Sequence, residues 1–70
     1  MDHLNQLKRA YIINRQEQTD ALQSGADPLF WFYGARILRA INALIELADG
    51  DEASAAALII EWEAELSQEA

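Results

Sequence analysis

The sequence predicts an all-α protein of three helices joined by two short turns. Three observations carry the prediction. The pairs Ser24-Gly25 and Asp49-Gly50 are turn and helix-stop signals that divide the 70 residues into three segments of comparable length. Within each segment apolar residues recur at three- and four-residue spacing, the period of a helix. No alternating β-branched run argues for a strand, and there is neither an internal repeat nor a low-complexity tract.

The first helix is expected from about Asp2 to Gln23, stopping where Gly25 can adopt the left-handed conformation past a helix end. Leu4, Leu7, Ala10, Tyr11, Ala21 and Leu22 share one of its faces. Asn14 and Gln18 fall in the same arc, where polar groups can fix register or partner choice at some cost in stability. Ile12 and Ile13 lie off that face.

The middle helix opens at Asp27-Pro28, read as an aspartate cap followed by proline at the first helical position, where a missing N–H does no harm. It runs to about Ala48. At about 100° per residue its apolar arc takes in Phe30, Trp31, Tyr33, Ile37, Leu38, Ile41, Leu44, Ile45 and Ala48, more than half the circumference. Consecutive aromatics on a helix point in different directions, so Phe30, Trp31 and Tyr33 are expected in the core rather than around a ligand. Gly34 would admit a close neighbour. The remaining stripe holds Arg36, Arg39, Asn42 and Glu46, with Phe32 inside it.

The third helix begins near Asp51-Glu52, with acids suited to the positive end of the helix dipole, and reaches Ser67 or Gln68. It has two apolar faces. Ala55, Leu58, Ile59, Trp62 and Leu66 form the larger one, and Ala53, Ala57, Ile60 and Ala64 a smaller one nearly opposite. A helix so patterned is built to sit between two neighbours, and its alanines would permit close contact.

Length and composition then limit what the chain can be. Seventy residues make one small domain, residues 1–70, which buries only about 60% of the surface its unfolded chain exposes. With no cysteine and one histidine, His3, neither a disulfide nor a zinc site within one chain is available, and no cofactor is expected. Oligomerisation is the remaining source of stability. The 51% apolar content points the same way, to a homodimer forming a larger helical bundle, with Ala53, Ala57, Ile60, Ala64, Ile12 and Ile13 as its interface.

Leu29 to Ala48, the longest apolar stretch, is broken by Arg36, Arg39, Asn42 and Glu46, and so falls short of the unbroken run of about 20 apolar residues that a bilayer requires. The first residues lack the basic and apolar regions of a secretory signal, and a cytoplasmic protein without membrane contact is expected.

The charges are distributed unevenly. Residues 1–39 hold five bases (Lys8, Arg9, Arg15, Arg36, Arg39) and four acids, or +1, whereas residues 40–70 hold eight acids and no base, or −8. A field of that sign repels nucleic acid, so no direct DNA or RNA contact is expected, and it attracts basic protein surfaces.

No constellation of residues points to an enzyme. Glu61 and Glu65 share a helix face but lack the Glu-x-x-His pairs of helical di-metal sites, and no serine has a paired histidine. A solvated acidic face is the plainer reading of both. Recognition of a protein partner has two candidate surfaces. Phe32 flanked by Arg36 and Arg39 combines the aromatic and arginine types enriched in binding hot spots, unless Phe32 packs on the first helix. The acidic strip of Glu61 and Glu65 could dock on a basic partner.

In size and character the chain looks like the small inhibitors that phages use against host regulators or defence complexes, and it is similar in scale to the helical co-chaperones of secretion systems. Neither likeness extends to matched residues. The expected function is that of a non-catalytic regulator or inhibitor occupying a partner's surface. The alternatives are a structural subunit or co-chaperone of a helical assembly and an acidic antagonist of a nucleic-acid-binding protein.

Overall fold

A computed structural model shows three α-helices in chain order, α1 (His3–Ser24), α2 (Asp27–Leu47) and α3 (Glu52–Glu69). Residues 3–69 are described, and Asp2, the expected start of the first helix, lies outside them. Among the described residues there is no strand, and no helix is long and apolar enough to cross a membrane.

Helix α1 ends in a Schellman motif. Gly25 N–H donates to Leu22 O (3.3 Å) and Ala26 N–H to Ala21 O (2.9 Å), with Gly25 at φ 77°. The motif reverses the chain within two residues and sets α2 tightly against α1. At Gly34 an added Cβ would stand 3.2 Å from Gln18 Nε2, so glycine is what lets the two helices approach there. Helix α3 stands further from both and docks through long side chains rather than backbone proximity.

The start of α2 departs from the expected cap. Ala26, not Asp27, is the capping residue (φ −87°, ψ 72°), and no side chain caps the helix. Because Ala26 already closes the α1 turn and its carbonyl accepts from Phe30 N–H (3.1 Å), Asp27 and Pro28 fall inside the first turn. There the carboxylate still meets the positive end of the dipole, and proline still costs no hydrogen bond.

A second Schellman motif ends α2, with Asp49 N–H to Glu46 O at 3.0 Å and Gly50 N–H to Ile45 O at 2.9 Å. Here the left-handed cap position falls on Asp49 (φ 56°), one residue before the glycine. Asp51 then caps α3: its Oδ1 accepts from the N–H groups of Ala53 (3.1 Å) and Ser54 (3.2 Å), while Ser54 Oγ donates to Oδ2 at 2.7 Å. These donors, the Ser54 hydroxyl first, hold the Asp51 carboxyl below its ordinary pKa.

The core is Tyr11, Ile37, Leu44, Ala55 and Trp62, with Leu44 only 1% exposed, and Leu4, Leu7, Ile12, Ile41, Ile45, Leu58 and Ile59 packed around it. Tyr11 and Trp62 meet ring to ring at 5.7 Å and 50°. The larger face of the third helix is thus the buried one, as its pattern predicts.

The middle helix differs from its expected arc. Trp31 is 72% exposed and Leu38 61% exposed, while Ala40, outside the expected arc, is buried. Two neighbouring helices cover only part of the circumference, and the covered part centres on Ile37, Ala40 and Leu44. Phe30 and Tyr33 are half-buried at its edges. Leu22, at the end of α1, is likewise exposed.

Candidate protein-binding surface

A polar seam locks the three helices and fixes what they present outward. Glu63 on α3 is its centre. Its Oε2 accepts from the Tyr11 hydroxyl and from Arg15 Nε (2.9 Å), both on α1. Arg15 Nη1 also donates to Gln18 Oε1 (2.7 Å), and Gln18 Nε2 reaches Phe30 O on α2 at 3.5 Å. Asn14 is buried, donating to Ala10 O (2.7 Å) and accepting from Arg36 Nε on α2 (3.1 Å). Asn14 and Gln18, singled out as possible register-setters, thus join helices within one chain. No buried side-chain nitrogen or oxygen among the described residues lacks a partner.

The electrostatics follow from this wiring. Burial, then the hydrogen bond to the Glu63 carboxylate, raises the Tyr11 phenol to about 12. Arg15 holds the Glu63 carboxyl below its ordinary value, and Glu63 in turn raises the Arg15 guanidinium. Lys8 and Glu65 form a second α1–α3 ion pair at 2.9 Å, so Glu65 is engaged while Glu61 points into solvent. No group of three or more His, Asp or Glu side chains close enough to hold a metal ion occurs among the described residues.

Phe32 is 52% exposed, so it does not pack fully on α1. Its ring lies edge-on to Tyr33 at 5.3 Å, and the Arg36 guanidinium sits 5.7 Å from its centroid, within cation–π range. Arg36 is held there by Asn14 rather than by a glutamate of α3. Beside it, Leu7, Ala10, Asn14, Arg36, Arg39 and Ala40 line an open cleft of about 280 Å³ between α1 and α2. Phe32, Arg36 and Arg39 thus lie along one side of one rigid helix, with an apolar floor next to them.

The expected dimer face is open on α3. Ala53, Ala57 and Ala64 are exposed, and Ile60 is 68% exposed. On α1 the two isoleucines part company, because Ile13 is exposed while Ile12 is half-buried against the core. Both still line a shallow cleft of about 310 Å³ with Asn5, Lys8 and Arg9. The feature that sequence reasoning missed is the exposed pair Trp31 and Leu38, seven residues apart on α2 and so on one side of it. The signal was present in the width of the apolar arc.

Comparison with family models, with curated proteins and with solved structures finds no match for the chain.

Proposed function

We propose that the chain is a non-catalytic binding protein that regulates or inhibits a protein partner by occupying its surface, and that it pairs with a second copy through the open face of α3. One observation carries the reading: large apolar side chains stand exposed, Trp31 and Leu38 together on one side of α2, Phe32 beside Arg36 on the adjoining side, and Ile60 among the alanines of α3. Scattered exposed leucines are ordinary on a small protein, but grouped ones mark interaction sites. The total area favours the same reading. The chain exposes 5004 Å², against about 4,400 Å² expected of a folded monomer of its mass.

On this reading Phe32 and Arg36 act as anchor residues, of the types that dominate binding energy, and the exposed α3 acid Glu61 steers approach, Glu65 being engaged by Lys8. The test is affinity capture from a lysate of the source cell at low and high salt, using the wild-type protein and Phe32→Ala. A stoichiometric protein retained by wild type and lost with the folded variant is the expected result; capture equal in both would remove Phe32 from the interface. Sedimentation equilibrium checks the pairing. A 7.9 kDa species at micromolar concentration would exclude it.

A further inference from the structure

We propose that the α1–α2 cleft bounded by Arg36 and Arg39 receives an acidic segment of a partner protein, two carboxylates about one helical turn apart with an apolar side chain between them. The inference rests on the binding role proposed above and gives the partner its chemistry.

The charge distribution is the first ground. Only five bases serve a chain with twelve acids, and two of them are used internally, Lys8 by Glu65 and Arg15 by Glu63, each at 2.9 Å. Arg36 and Arg39 form no ion pair among the described residues. Glu17 on α1 and Glu46 on α2 lie toward the same side by helical projection, yet neither is paired with them. A strongly acidic protein that leaves two guanidinium groups side by side without a carboxylate presents a site for carboxylates from outside.

Geometry is the second ground. Arg36 is oriented before any ligand arrives, since Asn14 Oδ1 accepts its Nε–H at 3.1 Å and Asn14 is itself tied to Ala10 O at 2.7 Å. With Nε engaged and one face over Phe32, the two terminal Nη groups form the remaining edge, the fork that takes a carboxylate bidentately. Holding that edge in place lowers the entropic cost of binding.

Arg39 follows Arg36 by three residues, about 4.5 Å along the axis. The matching acids are therefore neighbours on successive turns of a helical ligand, three or four residues apart. Between the arginines and α1 the floor is Leu7, Ala10 and Ala40, in a cleft of about 280 Å³ that suits one aliphatic or aromatic side chain. Phosphate groups would satisfy the arginines but leave that floor uncovered. A basic segment in the cleft would satisfy neither.

The experiment is fluorescence anisotropy of the full chain with a short blocked helical peptide carrying Glu on successive turns around one Leu. Parallel probes have every Glu replaced by Gln or by Lys, and a fourth probe is the chain's own 52–69 segment. The Glu peptide should bind with an affinity that falls as salt rises. Replacing Glu by Gln, or making Arg39→Gln in the protein, should weaken binding about three- to tenfold.

Among the described residues Arg39 has no hydrogen-bond partner to lose, so that variant should fold normally, and Arg9→Gln, altered on another side of α1, should bind as wild type does. Tighter binding of the Lys peptide would overturn the assignment, as would Glu-peptide binding unchanged in the Arg36→Gln/Arg39→Gln protein. Preferential binding of the 52–69 probe would replace the foreign segment by a second copy of the chain. Peptide binding that persists while no cellular partner is captured would count against the regulatory role alone. A captured partner insensitive to both arginine replacements would count against the acidic segment alone.

Discussion

Tyr11→Phe isolates one oxygen at the point where α1 meets α3. The ring stays, so the contact with Trp62 survives and no cavity opens; what goes is the hydroxyl's bond to the Glu63 carboxylate. A hydrogen bond to a charged group contributes about 1.5–3 kcal/mol. Glu63 is only half-buried and keeps Arg15, so water recovers part of the loss, and a net cost of about 1–2 kcal/mol is expected. Against a total stability of about 4–10 kcal/mol for a domain this size, that is a large share. It corresponds to a fall in Tm of about 5–15 °C.

The surroundings of the hydroxyl, its burial first and its bond to Glu63 second, can also be read through pH. The folded phenol titrates at about 12 instead of 10.0, so folding favours its protonated form. Its contribution is complete below pH 10 and disappears as pH rises from 10 through 12. Two units correspond to about 2.7 kcal/mol as an upper bound, with burial of the phenol the larger cause and the bond to Glu63 the next, so the alkaline loss measures the two together. The assay is urea unfolding of wild type and Tyr11→Phe at one fixed protein concentration, since self-association would shift both curves. The stability difference should be constant near neutrality and shrink between pH 10 and 12. A difference below about 0.5 kcal/mol at neutral pH would refute the assignment of this bond as an interhelical lock, and one that does not change in alkali would refute the burial of the phenol beside Glu63.

The acid limb tests the other partner: the depressed Glu63 carboxyl contributes stability above the ordinary carboxylate pKa and loses it as pH falls through its folded value, so Glu63→Gln should flatten the acid unfolding curve measured by circular dichroism. Asp49→Gly should stabilise by about 0.5–1.5 kcal/mol in the same urea assay, because Asp49 occupies the left-handed cap position and carries a negative charge at the negative end of α2. The two tryptophans should behave oppositely. Trp62→Ala should cost about 3–5 kcal/mol, leaving little cooperative unfolding, while Trp31→Ser should change stability by no more than about 0.5 kcal/mol.

The helices were legible because their boundaries are local chemistry. Gly25 terminates α1, Asp51 caps α3, and the apolar period identifies Ala55 and Trp62 as the buried face of the last helix. The cap of α2 was misplaced by one residue, since the tight turn from α1 consumes Ala26, which no local preference for Asp-Pro reveals. The seam was half legible. Asn14 and Gln18 stand out as polar residues in an apolar arc, but their partners Arg36 and the Phe30 carbonyl come from another helix. The Glu63–Tyr11 contact joins residues 52 apart in the chain. Periodicity assigns residues to faces; it does not say which faces meet.

The proposed binding surface was obscured by the same limit, and Trp31 shows how. The apolar arc of the middle helix spans more than half the circumference, and any residue within it qualifies equally as core by periodicity. Two neighbouring helices cannot cover so wide an arc. Once α1 and α3 take the side of Ile37, Ala40 and Leu44, the side of Trp31 and Leu38 is left outside by geometry. The width of the arc therefore makes the core assignment ambiguous from sequence, and in the folded chain it leaves Trp31 and Leu38 as exposed apolar surface. Phe32, Arg36 and Arg39 border that surplus on the same helix, so a partner seated on the arginines would have apolar surface within reach to bury.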